Sequence, residues 1–223
     1  MGGVHGMDFL VIREQSVRRL RRWKLSDPGS LPLHADEDFE WARDAASVAT
    51  RCHAIAAALA LAHRAPVQTV RSAIDEHDLE SSMGTRELEL VRVLEGDEEP
   101  DELTLQLLVD ISWREEALHA LLWVLRLVQD LPPDQMCPRQ PVYERLAPGL
   151  DPGRARDDLK MRPLSEIAAM LDLYYCLHWH ARKAQYHGDV WDYDLAPSVV
   201  LERRRALEWL FQDARWEDVD LAV

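Results

Sequence analysis

Three stretches put charged or titratable side chains where a helix would bury them. These are the residues that could do chemistry. In SWREEALHALLWVL (Ser112–Leu125), an apolar stripe runs through Leu107, Leu108, Ile111, Leu118, Leu121, Leu122 and Leu125 at i, i+3, i+4 spacing, and Arg114 lies in its middle. Glu116 groups with Trp113, Ala120, Trp123 and Leu127, while Ser112, Glu115, His119 and Arg126 form a polar stripe expected to face water. In EIAAMLDLYYCLHWH (166–180), Asp172 shares a side with Tyr175, Trp179 and Arg182, and His178 falls on the stripe of Ile167, Met170, Leu171, Tyr174, Leu177 and Ala181. In PSVVLERRRALEWL (197–210), Arg203 interrupts the Val200, Leu207, Leu210 stripe, with Glu202 beside it.

An unpaired buried charge costs several kcal/mol, so these groups should find one another. The expectation is one shared network in which Arg114 and Arg203 meet Glu116, Asp172 and Glu202, with His178 alongside and Trp113, Tyr175 and Trp179 as an aromatic lining. Such a cluster can be a fold-specifying polar core between helices. It can also be a ligand or catalytic site, because both perturb ionisation.

The reaction signatures are sparse. There is no G-x-S-x-G elbow, no G-x-x-x-x-G-K-[ST] loop and no H-E-x-x-H. Glu116-Ala117-Leu118-His119 is a single E-x-x-H, whereas carboxylate-bridged di-iron bundles need two such motifs and two further glutamates. Asp172 and His178 are six residues apart, which sets them about 120° off a common helical face. Cys176, His178 and His180 alternate in direction and do not converge on a metal. The expectation is therefore no metal and no cofactor.

The elements that must position these residues are helical throughout. The chain has 223 residues, 47% of them hydrophobic, enough to bury a sizeable core. The periods predict an Arg-rich helix over 8–24 with Leu10, Val17 and Leu20 on one side, a break at SDPGSLP, an Ala-rich helix over 37–63, a helix over 67–79 and one capped by Thr85. They further predict a long helix over 103–130, one over 164–187 and one over 198–212. Residues 131–160 read as a Pro/Gly-rich connection. Strand-like alternation is scarce. The expected fold is all-α, a single-domain irregular bundle of about six or seven helices over 1–223, with residues 1–30 a basic helix and turn docking on the rest.

The net charge of −14 disfavours nucleic acid and anionic membrane as partners. Residues 1–30 hold Arg13, Arg18, Arg19, Arg21, Arg22 and Lys24 against Asp8, Glu14 and Asp27, so the remainder is more acidic still. The expected partner is a basic protein, and a homo-oligomer is compatible with the sequence. Three cysteines without a C-x-x-C pair, an apolar run (54–62) about half a bilayer span, and no secretory or myristoylation pattern predict a cytoplasmic protein.

SWREEALHALLWVL, DLPPDQMC, RPLSEIAAMLDLYYCLHWHARKAQ, PSVVLERRRALEWL and the closing WEDV together resemble an uncharacterised bacterial family, domain of unknown function 4272. REQSVRRLRRWKLSDPGSLP and ATRCHAIAAALALA sit where that family has its first helix, its Leu-Pro turn and its second helix. The sequence departs from the family at WVLR (123–126), where Trp-Ala-Leu-Gly is usual, and in its tail DLAV. The resemblance implies an α-helical single domain and carries no catalytic residue. Two functions fit: a non-catalytic interaction or binding protein with an acidic surface, or a small-molecule or metal-dependent enzyme built on the buried cluster. They are separated by whether Arg114, Glu116 and Asp172 are fully paired with no adjoining cavity.

Overall fold

The structure, a computed structural model, describes residues 8–29, 31–33, 40–96, 100–138 and 159–223. Among these it is all-α. The helices are α1 (Phe9–Arg22), α2 (Ala45–Ala62), α3 (Val67–Glu76), α4 (Thr85–Glu95), α5 (Glu102–Ser112), α6 (Arg114–Val124), α7 (Leu164–His187) and α8 (Pro197–Trp209), with short 3₁₀ turns at Glu80–Ser82 and Trp216–Asp218.

Local chemistry sets the boundaries. Asp8, Asp44 and Asp101 cap α1, α2 and α5 by accepting the first free backbone N–H groups, as with Asp44 Oδ1 to Ser47 N at 2.8 Å. Pro163 precedes α7 and Pro197 opens α8, and Gly188 (φ 68°) ends α7 in the left-handed conformation. The second helix thus starts later than its pattern suggests: residues 41–44 are not helical, and the earlier expected start at 37 lies outside the described residues. So does most of the 131–160 connection.

Helix α2 is the shared wall of two apolar cores. Val48, Cys52, Ile55 and Leu59 pack into a large core with α1, α6, α7 and α8. Ala54, Ala58 and Leu61 pack into a smaller one with α3, α4 and α5. By length and hydropathy α2 would suffice to cross a membrane, yet here both its faces are occupied by protein.

Two departures from the periodic reading matter for the site. The expected 103–130 helix breaks at Trp113 and stops at Val124, giving α5 and α6. Ten of the eleven residues of α6 are buried, so it has no watery face; His119, expected in solvent, is buried with its ring nitrogen against the Asp130 carbonyl. On α1, Leu10 is exposed, and the buried face is Ile12, Ser16, Val17 and Leu20.

Candidate functional site

The six charges and titratable groups singled out by periodicity do not form one network. They divide because α6, α7 and α8 present them to different neighbours. Glu116 on α6 takes the α8 guanidinium of Arg203 at 2.8 Å (Nε) and 2.7 Å (Nη2), and its other oxygen accepts the Cys137 N–H. Arg203 also donates to the Pro132 and Gln135 carbonyls and to the Tyr174 hydroxyl, so each of its three nitrogens has a hydrogen-bond partner. Asp172 meets neither Arg114 nor Arg203. It faces α1 and holds Arg13 bidentately, while Arg13 donates onward to the carbonyls of Leu31 and Pro32. His178 accepts from Arg204 through Nδ1, and Arg204 further binds Glu208 and the carbonyls of Leu221 and Ala222. These three arginines are staples that tie the 132–137 chain, α1 and the 221–222 chain to the core.

Arg114 belongs elsewhere. It is 4% exposed and pairs with Glu217 at 3.2 Å and, more distantly, with Glu87 at 3.8 Å, rather than with Asp172 or Glu202. Glu87 in turn holds Arg51 of α2 through two bonds of 2.6 and 2.7 Å, both groups being essentially inaccessible. Two guanidiniums hold Glu87 below the usual carboxylate range against the opposing effect of burial, Arg51 being the stronger influence. The indole of Trp216 lies against both cations, 4.2 Å from Arg51 and 5.4 Å from Arg114.

This junction, where the two cores meet, is closed by the start of α4. Gly84, rather than Thr85, is the capping residue. Its N–H donates to Glu87 and that of Thr85 to Glu217. A Cβ on Gly84 would stand 2.2 Å from Glu217 Oε1, so only glycine lets that carboxylate reach both the α4 terminus and Arg114. Arg51, Glu87, Trp216, Glu217, Arg204 and Glu208 escaped the periodic reading. Two carried a signal: Arg51 is a lone cation in an Ala/Leu run, and Glu87 stands three residues after Gly84, the spacing of a capping carboxylate.

Open space flanks the junction on two sides. A cleft of about 590 Å³ is lined by Arg43, Thr50, Arg51, Met83, Trp209 and Trp216, among others. A cavity of about 290 Å³ is lined in part by Trp113, Arg114, Leu201, Glu202, Arg205 and Glu217. Six buried atoms that lack a hydrogen-bond partner belong to residues lining these spaces. Arg43 Nε, Arg51 Nε and Trp216 Nε1 belong to residues of the cleft; Arg114 Nη1, Arg205 Nε and Glu202 Oε2 belong to residues of the cavity. Glu202 otherwise pairs only along its own helix, with Arg205 at 2.6 Å. The expected aromatic lining is dispersed. Trp113 borders the cavity, Tyr175 lies between Arg204 and Arg13, and Trp179 stands against His180 and Lys183.

The groups with reactive potential are neutral. Burial raises the thiols of Cys52, Cys137 and Cys176, the last to about 12. Burial, then Arg204, lowers His178 to about 4, and burial lowers His180, whose ring faces the Ser26 carbonyl. Burial likewise raises Tyr174 to about 12. Among the described residues no three His, Cys, Asp or Glu side chains are grouped to hold a metal.

No curated protein and no solved structure matches the chain. One family model does, that of Domain of unknown function (DUF4272), over residues 13–219, a span that takes in all three stapling arginines and the whole junction. On that match the chain belongs to the DUF4272 family.

Proposed function

We propose that the protein is a non-catalytic binding protein whose ligand seats at the junction between the two cores. The observation that carries this reading is the pair of open spaces flanking the junction, six of whose lining residues carry a buried polar atom without a partner, beside staples in which every guanidinium nitrogen has one. A buried polar atom without a partner costs about 1–3 kcal/mol, so such atoms mark places where water or a ligand supplies the missing bond. Arg114 is incompletely paired beside a cavity, so pairing alone does not exclude an enzyme; it is the neutral thiols and the histidine locked as an acceptor that weigh against nucleophilic or acid–base work. Tryptophan emission provides the test, because Trp209 and Trp216 line the cleft. A panel of small charged metabolites should include a member that perturbs emission saturably and is recovered chemically unchanged. Conversion of the bound member to product, or no binder in the panel and none retained in native mass spectra, would overturn the reading.

A second reading, docking of a basic protein, draws on charge. Among the described residues the buried charges are four arginines and five carboxylates, nearly balanced, whereas the whole chain carries −14. Co-elution with a basic host protein that raised salt abolishes is expected, and salt-insensitive association would count against it. Nucleic acid and membrane are outside both readings. Arg13 is held by Asp172, Arg18 pairs with Glu14, Arg21 pairs with Asp27, and α2 is packed on two sides. Three free, buried cysteines suit a reducing, cytoplasmic setting.

A further inference from the structure

The chain that covers the junction is a loop with a tied neck. Residues 212–220 follow α8, and their two ends bond to each other: Asp220 N–H donates to Gln212 Oε1 at 2.7 Å, and Gln212 Nε2 donates to the Asp220 carbonyl at 3.1 Å. The 3₁₀ turn Trp216–Asp218 lies between those ends and forms the tip. A short surface loop with joined ends has the form of an Ω-loop, a class that is frequently functional.

The loop is attached lightly. Among the described residues no backbone–backbone hydrogen bond joins it to the rest of the chain. Side chains hold it instead. Arg43 donates to the carbonyls of Gln212 and Ala214, and at the tip Trp216 lies on Arg51 and Arg114 while Glu217 accepts from Thr85 N–H and Arg114. Of the loop's own residues, Trp216 and Val219 are the buried ones. Open space lies on both sides: Asp213, Ala214, Arg215 and Trp216 wall the cleft, and Glu217 walls the cavity. A segment with few buried apolar side chains and no backbone ladder sits at the low end of local stability. Both flanks of the neck are fixed, by contrast. Leu207 and Leu210 lie in the large core, and Arg204 holds the carbonyls of Leu221 and Ala222.

We propose that residues 212–220 are a lid on the junction, hinged at the Gln212–Asp220 neck, whose lifting withdraws Trp216 and Glu217 and joins the cleft and the cavity into one site. The proposal rests on the reading of the junction as a ligand site and names how that site opens. The floor survives the motion, because Glu87 keeps Arg51 in place through two bonds that do not involve the loop. The staples survive it too, since the bonds of Arg13 to Asp172, of Arg203 to Glu116 and of Arg204 to His178 and Glu208 lie outside residues 212–220. A lid of this kind admits a ligand when raised and shields it from water when closed.

Hydrogen exchange of side-chain N–H groups, read by NMR on the full chain without a ligand, tests the lid. The Nε1 proton of Trp216 reports the lid, the Nε proton of Arg51 the floor and the Nε proton of Arg203 a staple; all three residues are buried. The first two should be protected to within about threefold of each other and at least about 100-fold less than the third, because one local opening exposes both. Arg43→Ala removes the bonds to the Gln212 and Ala214 carbonyls and should speed both exchanges about fivefold, the weight of an ordinary hydrogen bond, with Arg203 unchanged. Equal protection of all three groups would make the loop part of the core. Fast exchange at Trp216 with Arg51 as slow as Arg203 would mean a tip that moves without opening the junction. Equal acceleration of all three in Arg43→Ala would mean that the loop comes away only with the whole fold. Each of these results overturns the lid, and a metabolite that still perturbs tryptophan emission would then leave the wider reading standing. Exchange as expected, with no binder in the metabolite panel, would instead keep the moving loop and remove the ligand site beneath it.

Discussion

Arg203 and Arg114 are guanidiniums buried to nearly the same depth, at 0% and 4% exposure, and both lie on helices of the large core. Arg203 has a carboxylate oxygen facing two of its nitrogens, two carbonyls and a phenol, and it is not among the residues lining the cleft or the cavity. Arg114 has one hydrogen bond of 3.2 Å to a carboxylate that is itself partly exposed, a second carboxylate at 3.8 Å, an unpartnered Nη1 and a cavity alongside. Depth of burial therefore does not separate a structural charge from one available to a ligand. Saturation of its hydrogen bonds does.

The comparison breaks most sharply at Glu116. Replacing Glu116 by Ala leaves Arg203 buried and uncompensated and frees the Cys137 N–H, for an expected loss of about 3–5 kcal/mol in urea denaturation. On the leucine stripe alone, Arg114→Ala would be expected to cost as much. It should instead cost about 1–3 kcal/mol, because Glu87 keeps its bidentate bond to Arg51 and Glu217 has partial access to water. Equal losses for the two variants would remove the distinction between saturated and unsaturated charge.

How far the sequence reveals this follows from the same residues. The interruption of an apolar stripe marks Arg114 and Arg203, and the apolar neighbours Trp113, Ala120 and Trp123 mark Glu116, because a helix has a fixed period whatever it packs against. The bounds of α7 are legible for the same reason, helped by Pro163 and Gly188. Partners are not legible, since Glu87 stands in the first turn of α4 and Glu217 on a 3₁₀ turn, and only packing decides that both reach α6. Nor is the burial of His119: the polar stripe assumes a helix with one wet side, and α6 is enclosed by others. The break at Trp113 left no mark in the period of flanking leucines.

Acidification should expose a saturated staple first. His178 accepts a bond from Arg204 and faces the further positive charges of Arg182 and Arg205, so its folded pKa is about 4 against an ordinary 6.5. Between these values the unfolded chain binds a proton that the folded chain refuses. Stability therefore falls as pH drops from 6.5 to about 4, by about 3 kcal/mol at most. His180, also lowered, acts in the same direction. Glu87, held low, adds a loss only at more acid pH, as it protonates below the usual carboxylate range. Asn at position 178 keeps an acceptor for Arg204 and removes the titration, so the decline over that window should shrink markedly. An unchanged slope would place the acid sensitivity elsewhere.

The junction has its own, smaller lever at Gly84. A methyl group there displaces the Glu217 carboxylate from Thr85 N–H and from Arg114, two ordinary bonds worth about 1–2 kcal/mol together. Because Glu217 is the flexible end of a side chain, the backbone of α4 should persist. Faster hydrogen exchange at the Thr85 amide in Gly84→Ala, with the Cys137 amide unaffected, would show that junction and staple are separate units. Parallel changes at both amides would show that they are one.

The smallest effect is expected just past the other end of α6. Arg126 is exposed, follows the cap residue Leu125, and adopts φ 62°. That left-handed conformation costs a residue with a Cβ about 1–2 kcal/mol relative to glycine. It falls in WVLR, where the resembled family tends to have Trp-Ala-Leu-Gly, so this chain carries arginine where the backbone favours glycine. Glycine gives back part of that gain through greater freedom in the unfolded chain. Arg126→Gly should therefore raise stability by about 0.5–1 kcal/mol, while Arg126→Ala, which keeps the strain and removes only an exposed charge, should stay within about 0.5 kcal/mol of the parent. Read against Arg114→Ala, the pair separates what a cation contributes when enclosed from what a backbone contributes when strained. Destabilisation by Arg126→Gly would mean that the exposed guanidinium makes a contact worth more than the strain of its own backbone.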